Sequence, residues 1–493
     1  MFRYIVLYAL FVSTLISFSQ DADGVVRFNN IYDSVPMTRN IIEIDSGYIC
    51  VGGITNTSNE INIQISFIDT LGNYVWGKEI GFSGYDIYHG LKKSLINTYD
   101  GGYALGGTKQ NKSNEALTQL LIKFDENFDT LWIKEFYTDT IFHTTTQCLQ
   151  TQDSGYVFVG YKDQSNTTQR TDIILTRTDK NGNFLWNKTY GNYYLYEECT
   201  CIAQTKDNGF IIGGWKGDKN DIYSGDLYII RTDSIGDVVW TETYGNPDYN
   251  DSGISDIITT KDSCYIITGC KVYEYEIGYN NMRARIIKMD ENRNFLWDKE
   301  YEDMGEGVGF LTPIELEDGN IVVTGTYNGV PLEAYHANTL YKLDHNGNEI
   351  WHRHLEYPLG EEVFCYMFAL TQTRDGGFAM AGVAYFFDLT PTQQMRVVKV
   401  DSCGCDTMGC DCDYSNSQEY ENNCEINIFP NPTTGKISIQ AEGIKKIEVM
   451  DMNGRLMYTG NKVEVNLSNY QKGIFIVKVI TEKGVALKKV IVK

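Results

Sequence analysis

Asp100-Gly101-Gly102-Tyr103-Ala104-Leu105-Gly106-Gly107, followed by Leu121-Ile122-Lys123-Phe124-Asp125 and Leu131-Trp132-Ile133-Lys134, is one copy of a phrase that runs along most of this chain. Its leading acid stands at Asp45, Asp100, Asp153, Asp207, Asp262, Asp318 and Asp375. Its closing indole stands at Trp76, Trp132, Trp186, Trp240, Trp297 and Trp351, which gives a period of about 54 residues. Each unit reads as four short strands. In the clearest copy these are Cys201 to Thr205, Gly209 to Gly214, Leu227 to Arg231 and Val238 to Thr243. Two turns separate them. One is carried by Asp-Gly-Gly or its Ser and Asn variants and the other by Asp233 to Asp237, both built from residue types that accept positive backbone angles.

Seven openings meet only six closings. The seventh unit ends at Val397-Val398-Lys399-Val400-Asp401 with no Trp strand behind it. At the other end, Asp23 to Asn30 aligns with Gly236 to Thr243 through a shared pair of valines, with Arg27 at the Trp240 position. Repeated four-stranded units with a strand missing at one end and spare at the other predict an all-β fold, a seven-bladed β-propeller over residues 20–402. Its N-terminal strand closes the last blade and so removes the free sheet edges that invite aggregation.

The totals agree with a folded repeat array. The chain has 493 residues, 42% of them hydrophobic, with 35 Tyr and 46 Gly, a balance that suits strands and turns. The net charge of -23 is uneven: residues 425–493 carry eleven Lys and Arg against six Asp and Glu, leaving -28 on the remainder. Such a surface repels phosphates and anionic lipid, so no nucleic-acid partner is expected. Met1-Phe2-Arg3, the apolar run Tyr4 to Ile16 and Ser17-Phe18-Ser19 read as a signal peptide over residues 1–19. No later run is long enough for a transmembrane anchor, and a monomer is expected.

Twelve Cys in an exported chain favour disulfides. Seven are scattered through the repeats, and five crowd into residues 403–424, a segment that reads as a Cys-rich linker. Cys403, Cys405, Cys410 and Cys412 have the spacing of a four-thiolate metal site, but an oxidising destination favours a stapled loop, and no metal is expected. His352 and His354 lack a third ligand. Asp179 to Asn183 resembles a calcium loop with its Gly misplaced, and reads as a turn.

The phrase Asp179-Lys180-Asn181-Gly182-Asn183-Phe184-Leu185-Trp186, repeated at Asp344 to Trp351, resembles the tryptophan-docking repeats of quinoprotein-type propellers and, more distantly, the Asp-boxes of sialidases. The resemblance covers residues 23–402. It implies that Trp76, Trp132, Trp186, Trp240, Trp297 and Trp351 wedge between neighbouring blades. It does not carry the quinone with it, and no cofactor is expected. Arg177 and Arg231 share a repeat position with Lys123, Lys288, Lys342 and Lys399, which makes them framework rather than a sialidase arginine cluster.

From Ile426 the pattern changes. Pro430-Asn431-Pro432, Asp451, Asn453-Gly454-Arg455, Gly473 and the terminal Lys488 to Lys493 resemble the type A C-terminal sorting domain of the Bacteroidetes type IX secretion system. Read from its residues alone, the stretch 425–493 alternates apolar and polar positions as a small β-sandwich does. The resemblance implies engagement by the type IX machinery and a secreted or outer-membrane surface location.

Recognition then falls to the long loops opposite the short turns. These combine aromatics with acids: Tyr193, Tyr194, Tyr196, Glu197, Glu198, Asp248 and Tyr249 are the candidate ligand-binding residues, suited to a glycan or a protein. Trp215, outside the register, is expected to face a loop. No residue is visibly set aside for catalysis, so a binding propeller is the first reading. The alternative is a polysaccharide hydrolase or lyase with carboxylates such as Glu197 and Asp248 on the same face.

Overall fold

The computed structural model describes residues 19–20, 25–32, 35, 37–136, 142–163, 171–191, 195–218, 221–245, 253–276, 279–301, 309–328, 336–355, 363–386, 392–407, 427–441, 443–451, 456–468, 470, 472–481 and 484–493. The chain divides into two compact units, Met1–Cys412 and Asp413–Lys493. Of the sequence-predicted residues, Tyr193, Tyr194, Asp248, Tyr249, Asn453, Gly454 and Arg455 lie outside the described set, as does most of the expected signal peptide.

The described residues of the first unit form seven antiparallel sheets. Sheet one is Thr38–Ile44, Gly47–Thr55, Ile61–Asp69 and Tyr74–Ile80. Sheet two is Tyr85–His89 and Leu95–Asn97, then Tyr103–Asn111, Leu117–Phe124 and Thr130–Phe136. Sheet three pairs Phe142–His143 and Gln147–Gln150 with Tyr156–Asp163, Thr171–Thr178 and Phe184–Tyr190. Sheet four runs Leu195–Gln204, Phe210–Asp218, Asp221–Thr232, Val238–Tyr244, and sheet five Asp256–Thr259, Tyr265–Glu276, Tyr279–Met289, Phe295–Tyr301. Sheet six is Phe310–Glu315, Ile321–Asn328, His336–Leu343 and Glu349–Leu355. Sheet seven takes three strands from Val363–Gln372, Phe378–Phe386 and Thr392–Val400, and a fourth, Val26–Tyr32, from the opposite end of the chain, with the two-residue strand Ser19–Gln20 paired outside it. The middle strands are buried on both faces, as Thr171–Thr178 is throughout, with the apolar run Ile173 to Leu175 at its centre.

Every sheet shares an apolar cluster with the next. Leu105 and Leu120 join Ile49 and Ile63, and Phe158 joins Leu121. Further round, Ile212 joins Val159, Ile267 joins Ile229, Tyr341 joins Ile266, and Met380 joins Leu340. A seventh cluster holds Ile41, Tyr48 and Cys50 of sheet one with Ala379, Ala381 and Val397 of sheet seven, and Phe28 lies in it.

The outer edges are fastened by one repeated contact. A turn residue with positive φ in one sheet covers the aromatic ring on the fourth strand of the sheet before. Gly182 (φ 72) lies against Trp132, Gly236 against Trp186, Gly347 against Trp297 and Gly404 against Trp351, so closely that a β-carbon on Gly182 would fall 2.6 Å from the indole. Two sheets manage without glycine. Phe128 (φ 59) sits 6.5 Å from Trp76, and Arg293 (φ 71) lays its guanidinium 6.0 Å from the Trp240 ring.

Phe28 occupies the same place for sheet seven. It pairs with Lys399, as Trp240 pairs with Arg231, and Gly72 (φ 83) of sheet one packs on its ring. The expected alignment of Arg27 with Trp240 is therefore one residue out. In a strand that slip exchanges the two faces, and Arg27 instead turns to Asp401, donating from Nε (3.1 Å) and Nη2 (2.7 Å) to Oδ2.

The turns are held by their acids. Asp179 Oδ1 accepts the backbone N–H groups of Asn181 and Asn183, both at 2.8 Å, which explains the calcium-like spelling as an Asx turn. Asp401 does the same for Cys403 and Cys405, so those two cysteines belong to the last turn of sheet seven rather than to a linker. The other turn is pinned from within its sheet: Arg177 Nη2 donates to Asp153 (2.5 Å) and Lys288 Nζ to Asp262 (2.7 Å), with Arg231–Asp207, Lys123–Asp100 and Lys399–Asp375 in the same relation. These cations are framework.

The scattered cysteines correct the disulfide expectation. Cys50, Cys148, Cys199, Cys201, Cys264 and Cys365 are free thiols, and burial pushes Cys148 and Cys201 up to about 12, far from the thiolate that exchange needs.

In the second unit, the sheet of Asn427–Phe429, Lys436–Gln440 and Glu464–Asn466 shares one core with the sheet of Ile444–Asp451, Leu456–Gly460, Gly473–Thr481 and Gly484–Val492. Ile437, Ile439, Val449, Val477 and Val490 fill it. Asn431, between Pro430 and Pro432, bonds the final strand twice, donating Nδ2 to Lys489 O (2.6 Å) and accepting from Ile491 N (2.9 Å). Gly473 opens the third strand of the second sheet, and Asp451 closes its first.

Phe28→Ala should cost about 3–5 kcal/mol in denaturant unfolding, the value for a buried aromatic. Trp186→Ala, whose ring is only half-buried, should cost about 1–3 kcal/mol. Equal costs would mean that sheet seven does not depend on its imported strand.

The turn acids predict an acid limb. Burial raises Asp262, but hydrogen bonds from Lys288 and Thr260 outweigh it and bring the carboxyl down to about 2. A depressed acid stabilises the fold above its unfolded value near 4 and loses that contribution as pH falls toward 2. Replacing Asp262 by Asn should flatten the loss of melting temperature between about pH 4 and pH 2.

Candidate ligand site

Strand Leu195–Gln204 begins at the end of sheet four opposite its Asp207 turn, and strict alternation sorts its first side chains. Glu197 points inward. It is buried at 1% exposure and ion-paired with Lys216 at 3.2 Å, while Lys216 Nζ also lies 4.6 Å from the Tyr228 ring. Glu197 is thus committed to the sheet, and it is not presented to a ligand. Tyr196 and Glu198 point the other way: Tyr196 Oη donates to Glu198 Oε1 at 2.5 Å, and the Tyr196 ring packs at 4.8 Å on Trp215 of the neighbouring strand.

Trp215 was outside the repeat register because it does a local job. It pairs across the sheet with Glu198, and the backbones of Gly225 and Gly253 close on its ring and β-carbon, where side chains would collide. The result is a half-exposed indole, a phenol and a carboxyl in contact. Burial raises the Glu198 carboxyl, and the hydrogen bonds from Tyr196 and Trp215 only partly reverse this. An aromatic plane beside such a carboxyl can stack on an apolar ring face and exchange hydrogen bonds with hydroxyls.

Asp172, which sequence reasoning passed over, lies in the adjoining sheet, 3% exposed. Burial is the main cause that pushes it up to about 6. Lys162 opposes this and the Glu197 charge adds to it. The sequence carried one signal, since Asp172 and Asp226 recur on the third strand in successive repeats, each against a glycine, Gly191 and Gly245. His352 is held by Glu349 at 2.7 Å and stacks 5.0 Å from Tyr341. Among the described residues no group of three His, Cys, Asp or Glu is placed to hold a metal, and no helix is long and apolar enough to cross a membrane.

An acid whose native value is raised stabilises the fold below its unfolded value near 4 and loses that contribution as pH rises through about 6. Asp172→Asn should therefore raise the melting temperature relative to wild type at pH 8 and leave it nearly unchanged at pH 4. A uniform loss at both would show that the carboxylate itself is required.

Residues 427–493 match the secretion system C-terminal sorting domain. The type IX sorting tail makes this a secreted or cell-surface protein. No curated protein matches the chain. Among solved structures, a polysaccharide lyase of family 25, an ulvan lyase, aligns at 10% identity and TM-score 0.46, covering 76% of this chain and 94% of its own. The α-L-arabinanase of Penicillium chrysogenum aligns at 10% identity and TM-score 0.42, covering 77% and 98%. The β-propeller domain of the Trilobed protease from Pyrococcus furiosus aligns at 10% and 0.40, covering 80% and 99%. Likeness at this level transfers none of their activities.

Proposed function

We propose that residues 20–402 form a closed seven-bladed β-propeller of the tryptophan-docking kind, exported by the type IX route of Bacteroidetes, which binds a glycan or protein ligand on its long-loop face. The signal peptide over residues 1–19 and the β-sandwich sorting domain over residues 425–493 serve export. Closure is supported by the seventh apolar cluster and by Phe28 under Gly72. Disulfide bonding at Cys403 and Cys405 is part of this reading.

The observation that carries the binding reading is the contact of Tyr196, Trp215 and Glu198 at the long-loop end of sheet four. Nothing else in the described part of that end combines a half-exposed indole with a raised carboxyl. A glycan favours this arrangement because a sugar offers an apolar face for the indole and hydroxyls for Glu198. The hydrolase or lyase alternative rests on Glu198 and Asp172, two carboxyls held toward their protonated forms, as a proton donor must be.

Full-length protein screened on a glycan array should retain neutral or hydroxyl-rich oligosaccharides. Trp215→Ala should weaken the best ligand by about tenfold to a hundredfold, the loss of one stacked aromatic. Undiminished binding by Trp215→Ala would displace the site. Accumulation of cleaved product in the wild type, abolished in Glu198→Gln, would move the reading to the enzyme.

A further inference from the structure

The inner strands of the first unit bring together three cations, Arg39, Lys92 and Lys93, and among the described residues a single ion pair engages them, that of Lys93 with Asp256. Sheet two has a divided first strand: Tyr85–His89 stops, Gly90 to Ser94 intervene, and Leu95–Asn97 resumes. The interruption is anchored by Leu91 N donating to Thr146 O at 2.7 Å, and Lys93 takes φ 44, an uncommon angle for a side-chain-bearing residue.

From this loop Lys92 Nζ donates to Ser255 O at 3.4 Å. Lys93 Nζ meets Asp256 Oδ2 at 2.6 Å and Pro313 O at 3.5 Å. Those partners belong to sheet five and to sheet six, which are not sequential neighbours of sheet two. Side chains of sheets so far apart in the series meet only where the inner strands converge.

Other sheets aim residues at the same place. The inner strand of sheet one shifts register between Thr38 and Asn40, which leaves Arg39 as the extra residue. Sheet seven shifts between Met367 and Ala369, which leaves Phe368. A bulge re-aims a side chain, and here the Arg39 guanidinium comes to rest 4.9 Å from the Phe368 ring. Arg39 Nε is buried with no hydrogen-bond partner among the described residues.

The charges do not balance. Among the described residues, Arg39, Lys92 and Lys93 face one carboxylate, Asp256, which is 1% exposed and already paired with Lys93. Of the other groups there, burial drives His89 down to about 4, leaving it uncharged at neutral pH, and burial raises the Cys201 thiol and the Tyr366 phenol, so both are neutral too. Burial lowers both Lys92 and Arg39. Unpaired buried charge is costly. Lys93 keeps 29% of its side chain exposed, so the cluster can be reached from solvent.

We propose that Arg39, Lys92 and Lys93 form an axial oxyanion site that takes the carboxylate or sulfate group of an acidic ligand, with the Phe368 ring as a wall. It is independent of the Tyr196–Trp215 reading and lies at the inner strands rather than on that edge.

The test is calorimetric titration of the full-length protein at constant ionic strength and pH 7 with sodium sulfate, sodium glucuronate and glucose, together with Lys92→Met, Arg39→Gln and Lys92→Arg. Wild type is expected to show saturable binding of sulfate, glucuronate or both, and none of glucose; which anion binds distinguishes a sulfate-bearing from a carboxylate-bearing source. Lys92→Met and Arg39→Gln should each weaken it by about tenfold or more, the loss of one charge-assisted contact. Lys92→Arg should retain it.

Without added anion, Lys92→Met should melt higher than wild type, because it removes an uncompensated charge. No saturable response to either anion in wild type, equal binding of glucose, or an undiminished response in both neutral variants would overturn the proposal. So would a lower melting temperature for Lys92→Met, which would mark the loop as a structural plug.

Discussion

The constraint on which the first unit depends is that an aromatic ring on the outer strand of each sheet needs a lid, and the lid is a turn residue of the following sheet. A ring of this size on an edge strand would otherwise leave much of its apolar surface in water. Covering it requires backbone to approach within van der Waals contact, hence a positive φ and usually no β-carbon. Gly182, Gly236, Gly347, Gly404 and Gly72 meet that need, and Phe128 and Arg293 show what else can: a residue that accepts the angle and contributes its own ring or cation to the contact. The Asx turn beneath each lid is thus a packing device, and its acid is spent on backbone N–H groups rather than on a ligand.

Most of this architecture was legible in the chain because the repeat encodes it twice, once in the turn acids and once in the indoles. What was misread is instructive. The pair of valines aligns Arg27 with the Trp position, whereas the register follows the ring that must be buried, and that ring is Phe28. Cys403 and Cys405 looked like linker because their composition differs from Asn181 and Asn183, although they bond Asp401 in the same way. The scattered thiols looked like disulfide partners because compartment was weighed without burial.

The candidate site was less legible, for a physical reason. Strand alternation decides whether neighbouring residues share a face, and neighbouring acids such as Glu197 and Glu198 therefore have opposite fates: one neutralises Lys216 inside the sheet, the other meets Tyr196 and Trp215 at its rim. Composition alone cannot separate them. The axial cations were invisible for a different reason, since Arg39, Lys92 and Asp256 come from three sheets and only the closing-up of inner strands makes them neighbours.

The fourth strand of sheet seven has a topological consequence. Val26–Tyr32 lies hydrogen-bonded beside Thr392–Val400, so the two ends of this unit are stitched side by side although almost the whole unit separates them along the chain. During synthesis and passage across membranes the leading end must wait, edge unsatisfied, until the trailing end emerges, and the last seam to form is the one with the greatest loop-closure entropy. The same adjacency makes the starting point of the polypeptide arbitrary with respect to the finished object. Joined at that seam and opened in another exposed turn, the chain would build the same seven sheets from a different origin.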